Sequence, residues 1–514
     1  MCLLRNQRKI GFVLSYFNIF ISSMVGILFT PYMISTLGSV EYGLYQLLYA
    51  AIGYIALLDF GLGSTLTRFI LKYQSEKNKE KERTVISMCV KIYCLFGLVA
   101  MLLVLGVSFN LDTLFSNSIS PESLGYAQKL FLIMGATTSL SLVSHALSGI
   151  QTAHEKYLVT KGVYTVRQVA RVAIMVILLQ LDIGAMAVVT TDFFVTLGLL
   201  IFDIIYCKAA LKTTLLMGKW DKTLLKPLFS FSFFVFLQII ITQTNAGVDR
   251  LLLGSLSTLQ VVALYGVITQ LNTVFSSISN VVCGVTFPQI SRVVFSNADR
   301  DALTHCCARY SRLQMLISAP LMGGFILLGK AFASLWVPEY DSTAVWLCTV
   351  IIVIPETLAV VEGTIFHVMK AKNLQKARSL ILFGVMIANI IFTVFLIKWN
   401  DVYGPAIGTG ISFIVGNLIL SNIYYHKKVG VDVIKFLKEL FKGILPAFII
   451  SLIIGIFICM IPVEGWLGFI IKGSLYVFEY GILTLLIGIN KEEKALAKGL
   501  INKVLKKKVG DTVK

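Results

Sequence analysis

The segment IGFVLSYFNIFISSMVGILFTPYM, residues 10–33, decides how the chain must be read. It contains no charged side chain and exceeds the ~20 residues with which a helix crosses a ~30 Å hydrocarbon layer. The basic stretch MCLLRNQRK before it has the charge of a signal peptide, but the apolar run is too long for one and carries no small-residue cleavage site. A retained first membrane helix is expected.

Working outward, apolar runs of helix length recur at 44–67, 84–109, 127–150, 157–180, 185–206, 227–253, 261–289, 313–336, 344–369, 379–397, 404–425, 443–462 and 466–489. With 10–33 this makes about fourteen transmembrane helices. The runs are continuously apolar and lack the period-two alternation of barrel strands, so the expected fold is an all-α integral membrane protein. Composition agrees: 57% of the 514 residues are hydrophobic and 14% charged, against about 25% charged in soluble domains. The spans leave no room for a large soluble catalytic domain.

The charges set the orientation. Most of the 45 Lys and Arg lie in the loops 71–83, 151–156, 207–226, 290–312, 370–378 and 426–442 and in the C-terminal tail. The opposite loops hold Lys129 and Lys398, and carry Glu41, Asp112, Glu122, Asp182, Glu339, Asp341, Asp401 and Glu464. Both termini are therefore expected in the cytoplasm. Basic residues spread over every inner loop account for the net charge of +18 through contact with anionic membrane lipids, and argue against nucleic acid as a partner. In the tail, KEEKALAKGLINKVLKKK (491–508) spaces Leu496, Leu500 and Val504 as a helix lying on the inner leaflet would; a frayed basic tail that only fixes topology is the alternative.

Nine cysteines without a CxxC pair and five histidines offer no zinc or haem motif, and GxxxxGK[ST], GxSxG and HExxH are all missing. No catalytic residue, metal or resident cofactor is expected. Any repeat between the first and seventh spans is parallel, because six helices separate them. STLGSVEYGLYQLL (35–48) and GSLSTLQVVALYGVITQL (254–271) share Leu-Tyr just after the same outer loop, at Leu44–Tyr45 and Leu264–Tyr265. The basic segment 207–226 is then the natural linker between two halves.

PYMISTLGSVEYGLYQL (31–47), LLDFGLGSTLTRFI (57–70), VDRLLLGSLSTLQVVALYGV (248–267) and VTFPQISRV (285–293) resemble the polysaccharide transporter branch of the multidrug/oligosaccharidyl-lipid/polysaccharide (MOP) flippase superfamily, over essentially the whole chain. The resemblance implies two six-helix lobes, here 1–206 and 227–425, facing a central cavity. It also implies two additional transmembrane helices within 426–489, followed by the basic cytoplasmic tail 490–514. It further implies a flippase of the bacterial cytoplasmic (inner) membrane. Such a protein moves undecaprenyl-pyrophosphate-linked oligosaccharide units of O-antigen, capsule or exopolysaccharide by alternating access, with functional links to a polysaccharide polymerase and glycosyltransferases.

Ionisable residues inside the membrane cost at least ~2.5 kcal/mol each and so mark cavities or pathways. Arg167 and Arg171 lie one turn apart on the fifth span, with Tyr164 and Gln168 nearby, and suit bidentate binding of pyrophosphate; structural pairing with Asp59 and Asp192 is the alternative. Arg68 ends the second span near the cytoplasmic mouth, where Lys91 also lies, and either contacts phosphate first or snorkels to the interface. Arg250 on the seventh span is a further phosphate contact, with Asp249 as its charge partner or a coupling-ion ligand; interfacial anchoring is the alternative. Glu356 follows Pro355 near mid-depth, Glu362 follows within two turns, and Glu356 and Asp59 are the candidates for Na+ or H+ coupling; otherwise the membrane potential drives the cycle. The polar residues Asn18, Ser22, Gln238, Gln243, Asn245, Gln270, Asn272 and Asn280 line a wet path for sugars or join helices.

Two other functions compete. A cation-coupled multidrug exporter of the same superfamily would favour acids in its cavity, where arginines stand here. A membrane glycosyltransferase or polymerase would need a sizeable outer loop, and all outer loops are short.

Overall fold

The computed structural model describes residues 2–216, 220–296, 299–372, 374–490 and 493–494. Among them there is no strand. The helices are α1 Cys2–Ile55, α2 Leu62–Ser75, α3 Lys79–Ser108, the single turn α4 Leu111–Leu114, α5 Pro121–Ala153, α6 Tyr157–Leu179, α7 Ala185–Ala209, α8 Leu225–Leu256 and α9 Leu259–Phe295. They continue as α10 Arg300–Trp336, α11 Ser342–Val361, α12 Gly363–Ala371, α13 Gln375–Trp399, α14 Gly404–Phe413, α15 Asn422–Tyr424, α16 Val433–Phe441, α17 Ile444–Cys459 and α18 Gly465–Leu483. Eleven helical segments of the described residues are long and apolar enough to cross a membrane, or up to 13 if each of two bent pairs is one span. Except for residues 493 and 494, the basic stretch 491–508 lies outside the described residues, as does the side chain of Asn280.

One of the eleven cannot be a single pass. Leu14–Ser75 runs for 62 residues, about 93 Å at ~1.5 Å per residue, or three times a ~30 Å hydrocarbon layer. It is interrupted at Gly38, with φ 72° and ψ 167°, and again at Phe60 and Gly61, with φ 47° and 66°. The runs 10–33 and 44–67 lie on either side of Gly38. Glycine is needed at the second break for two reasons: the backbone is left-handed, and a Cβ on Gly61 would stand 2.4 Å from Cγ1 of Val235.

The chain forms two compact units, residues 1–277 with 376–416, and residues 278–375 with 417–514. In the first, α5 packs against α2, α3 and α7, around a core of Leu66, Met88, Tyr93, Leu142, Leu147 and Ile150. In the same unit α1 packs against α8. It also meets the start of α9 so closely that a Cβ on Gly43 would lie 2.1 Å from the Leu259 carbonyl oxygen. Small residues at crossings of this kind let helix backbones approach in hydrocarbon, where dispersion contacts replace the hydrophobic effect as the packing force. Large side chains such as Leu98, Phe109, Phe194, Phe457 and Phe478 point outward, which hydrocarbon tolerates and water would penalise by about 25 cal/mol per Å² of apolar surface.

In the second unit α10 packs against α11, α16, α17 and α18. Its buried Arg312 ties the end of α16 to Gly488 and Glu493. Nε donates to Glu493 Oε1 at 2.7 Å and one terminal nitrogen to Glu493 Oε2 at 3.1 Å. The guanidinium also donates to the carbonyls of Glu439, Leu440, Lys442 and Gly488 at 2.7–3.2 Å. The first three close the C-terminal end of α16, so the cation stands where unsatisfied carbonyls concentrate negative charge. Both side chains of the pair are less than 5% exposed. Removing the cation strands a buried carboxylate and several carbonyls. Arg312→Ala should therefore destabilise the protein by about 3–5 kcal/mol, seen as a clear fall in its unfolding temperature in detergent, with Lys failing to restore it. An unchanged unfolding temperature would refute this role.

Candidate functional site

Six of the seven charged candidates, Asp59, Arg68, Arg167, Arg171, Asp249 and Arg250, lie in the first unit; Glu356 lies in the second. Within the first unit they form separate groups.

The largest group is built on α1, α6, α7 and α8. Arg171 of α6 makes a two-pronged ion pair with Asp192 of α7: Nε bonds Oδ1 and a terminal nitrogen bonds Oδ2 at 2.9 Å. Arg167, one turn before it, donates at 3.1 Å to the Thr196 hydroxyl of α7. Its Nε is buried without a hydrogen-bond partner among the described residues. Asp192, Asp203, Arg171 and Tyr164 all act electrostatically on it, and Asp203 is itself held by Gln151 at 2.7 Å. The α6 face thus carries one arginine fully matched by an acid and one matched on its own account only by a hydroxyl.

Arg250 of α8 joins this group through the tyrosines of α1. Its guanidinium donates to Gln46 Oε1 at 2.6 Å, and Gln46 donates on to the Tyr42 hydroxyl at 2.8 Å. Tyr45 and Tyr49, stacked with centroids 5.9 Å apart, lie in electrostatic range of both Arg171 and Arg250. Tyr42, Tyr45 and Gln46 belong to the family signature quoted above and Tyr49 follows it; none has a chemical role there. The signal was available: Tyr42, Gln46 and Tyr49 follow one another at spacings of four and three, and so share a helix face. Adjacent Asp249 accepts from the Thr409 hydroxyl at 3.0 Å, and its Oδ1 is buried with no hydrogen-bond partner among the described residues.

Asp59 stands apart. At the break between α1 and α2 its Oδ1 accepts from the Tyr93 hydroxyl at 2.6 Å and lies 3.4 Å from His145 Nδ1. Arg68 is exposed on α2. Glu356 is half-buried in α11 behind Pro355, and Glu362 is buried and accepts from Asn422 at 2.8 Å.

Several polar residues also find places. Asn18 joins α1 to α6, donating to the Lys161 carbonyl at 3.0 Å and accepting from Thr165. Glu41 accepts from the backbone N–H of Ala185 at 2.7 Å and from Tyr126, capping α7 from a distance. Among the described residues no three His, Cys, Asp or Glu side chains gather as a metal site.

The two α6 arginines should therefore fail differently when removed. Arg171→Ala leaves Asp192 unpaired in a largely buried site, each partner being about a quarter exposed, and should cost about 1–3 kcal/mol of stability. Arg167→Ala breaks one bond to a hydroxyl and should cost no more than about 1 kcal/mol of stability. Unfolding curves of both variants in detergent check this; equal destabilisation by the two would remove the distinction.

Residues 10–294, more than half of the chain, match the family model described as polysaccharide biosynthesis protein. An uncharacterized membrane protein, EpsK, of Bacillus subtilis (strain 168) is 22% identical over 503 residues, covering 93% of this chain and 94% of that one. The lipid II flippase MurJ in an inward closed conformation superposes with a TM-score of 0.69 at 18% identity, covering 93% of this chain and 98% of that one. An inward-facing multidrug resistance MATE family transporter of the MOP superfamily superposes with a TM-score of 0.62 at 13% identity, over 78% of this chain and 92% of that one. These structural likenesses identify a shared multi-pass helical fold. The family match makes the assignment: the chain belongs to the polysaccharide biosynthesis protein family.

Proposed function

We propose that the chain is a flippase that carries undecaprenyl-pyrophosphate-linked oligosaccharide repeat units, of an O-antigen, capsule or exopolysaccharide, across the bacterial cytoplasmic membrane. The observation that carries this reading is the α6 arginine pair. Arg167 keeps donor capacity in a buried setting, and Arg171 beside it is held in place by Asp192. A developing or fixed negative charge is what such a donor accepts, and a pyrophosphate offers it in the bidentate form that guanidinium fits. Arg250 would add to it from α8, and Arg68 would meet the headgroup at the inner leaflet.

In this reading both termini face the cytoplasm and the inner loops rest on anionic lipid. The lobes 1–206 and 227–425 rock about the linker 207–226 to alternate access, with the two helices of 426–489 and the tail 490–514 attached. Protonation or Na+ binding at Asp59, Asp249 or Glu356, or the membrane potential, biases the cycle. The protein performs no chemistry on its cargo, which a polymerase and glycosyltransferases make and consume. A MATE multidrug transporter shares the fold, so cargo has to be argued from charge, and buried arginines favour an anion over an organic cation.

Mass spectrometry of polyprenyl-linked glycans in a deletion strain tests the reading, with a membrane-impermeant glycan-modifying enzyme reporting their leaflet. Completed repeat units should accumulate on the cytoplasmic side and surface polymer should be lost. Unchanged lipid-linked glycans together with sensitivity to cationic drugs would replace the flippase by an exporter; incomplete glycans would point to an enzyme.

A further inference from the structure

A cavity of about 300 Å³ opens in the first unit between α1, α6 and the middle of α9. Its wall is made by Ser15, Ser22, Lys161, Tyr164 and Ser277, together with Ile19 and the backbone-braced Asn18. The volume is at the lower end of the range for small-molecule sites.

Two features separate this cavity from a packing gap. Asn18 is used up in joining α1 to α6, donating to the Lys161 carbonyl and accepting from Thr165, which fixes one wall. By contrast, the side chains of Ser22, Lys161, Tyr164 and Ser277 form no hydrogen bond or ion pair within the described residues. Three hydroxyls and one ammonium from three helices therefore converge on the same space with their hydrogen-bonding capacity unspent. Convergence on one space, and not the unspent capacity of any one group, is what marks a place for a polar ligand.

The ligand has to be small, rich in hydroxyls and partly apolar. A pyranose has these properties: its rim presents hydroxyls to Ser22, Ser277 and Lys161, and its C–H face suits the Tyr164 ring, which is 41% exposed. Position along α6 agrees. Lys161 precedes Arg167 by six residues, about 9 Å of helix, and Tyr164 lies between them in electrostatic range of Arg167. A pyrophosphate held at Arg167 would place the sugar attached to it within reach of the cavity.

We propose that this cavity is a saccharide subsite that binds the sugar residue next to the pyrophosphate, with Lys161, Ser22 and Ser277 bonding its oxygens and Tyr164 underlying its ring. The proposal rests on the flippase reading and adds a sugar-recognising element to it. It makes recognition a two-point affair: arginine for phosphate, and the Lys161 cavity for sugar.

The test compares farnesyl diphosphate, farnesyl diphosphate carrying one glucose, and free glucose 1-phosphate, binding to the purified full chain in detergent. The glucosylated probe should bind the wild type about tenfold more tightly than farnesyl diphosphate, the yield of one or two well-placed hydrogen bonds. Ser22→Trp, which fills the cavity, and Lys161→Met, which keeps its bulk, should each erase that advantage and leave farnesyl diphosphate binding unchanged. Having two variants guards against one failing to fold. The subsite is overturned if glucose adds no affinity, if the variants weaken both lipid probes equally, or if glucose 1-phosphate binds as tightly as the lipid-linked sugar, which would assign the cavity to a soluble ligand. A wild type that binds neither lipid probe would instead sink the flippase reading, and the subsite with it.

Discussion

Hydrocarbon offers no water to a polar group, and every other feature of this protein answers to that constraint. Backbone amides are satisfied within helices, so the fold is built from helices, with no strand among its described residues. Where a helix must break, the exposed groups are met by specific partners. At the α1–α2 break the chain turns through two left-handed residues, and the acid at that turn is held by a tyrosine and faces a histidine. Where the end of α16 leaves its carbonyls open, Arg312 closes them.

The same constraint makes unpaired charge the exception and therefore the useful signal. Arg171 is bonded by both prongs to Asp192, and Arg312 is bonded on every side. Against that background an arginine with a bare buried nitrogen, or a lysine and three hydroxyls facing a common space, stands out more sharply than it would in a soluble protein, where water could complete each of them. A count of charges in the membrane does not separate these cases, whereas a partner list does.

This divides what could be read from residues from what could not. Helical architecture, the membrane setting and the family were legible because apolar runs and glycine, tyrosine and proline signatures are local in the chain. That Arg167 and Arg171 share one face of α6 was legible too, by spacing alone. Which of the two is neutralised was not, because Asp192 comes from another helix and both Asp59 and Asp192 suited the role equally by depth. Depth also grouped Asp59 with Glu356 as a coupling candidate, while the structure seats Asp59 with Tyr93 and His145. Arg312 escaped notice because it opens a span beside a basic loop, where an arginine is unremarkable until its acid, Glu493, arrives from 181 positions away.

The partnering of the arginines bears on how a carrier can work at all. A cavity in which Arg68, Arg167, Arg171 and Arg250 all faced a pyrophosphate with free guanidinium groups would bind it tightly in whichever state presented them, and tight binding in one state holds the cycle there. Transport needs affinities that are similar on both sides and weak enough to release, because a ligand drives a conformational equilibrium only through its differential affinity for the two states. On the flippase reading, matching Arg171 with Asp192 lowers the free positive charge that a phosphate would meet, while Gln46 occupies a donor of Arg250 without neutralising it. On that reading Arg171 still shapes the local potential, and Arg167 and Arg250 would supply the direct bonds. A second, neutral-hydroxyl contribution from a sugar subsite would then add selectivity without deepening the electrostatic trap, since its hydrogen bonds are worth far less than another buried ion pair once the displaced water is counted.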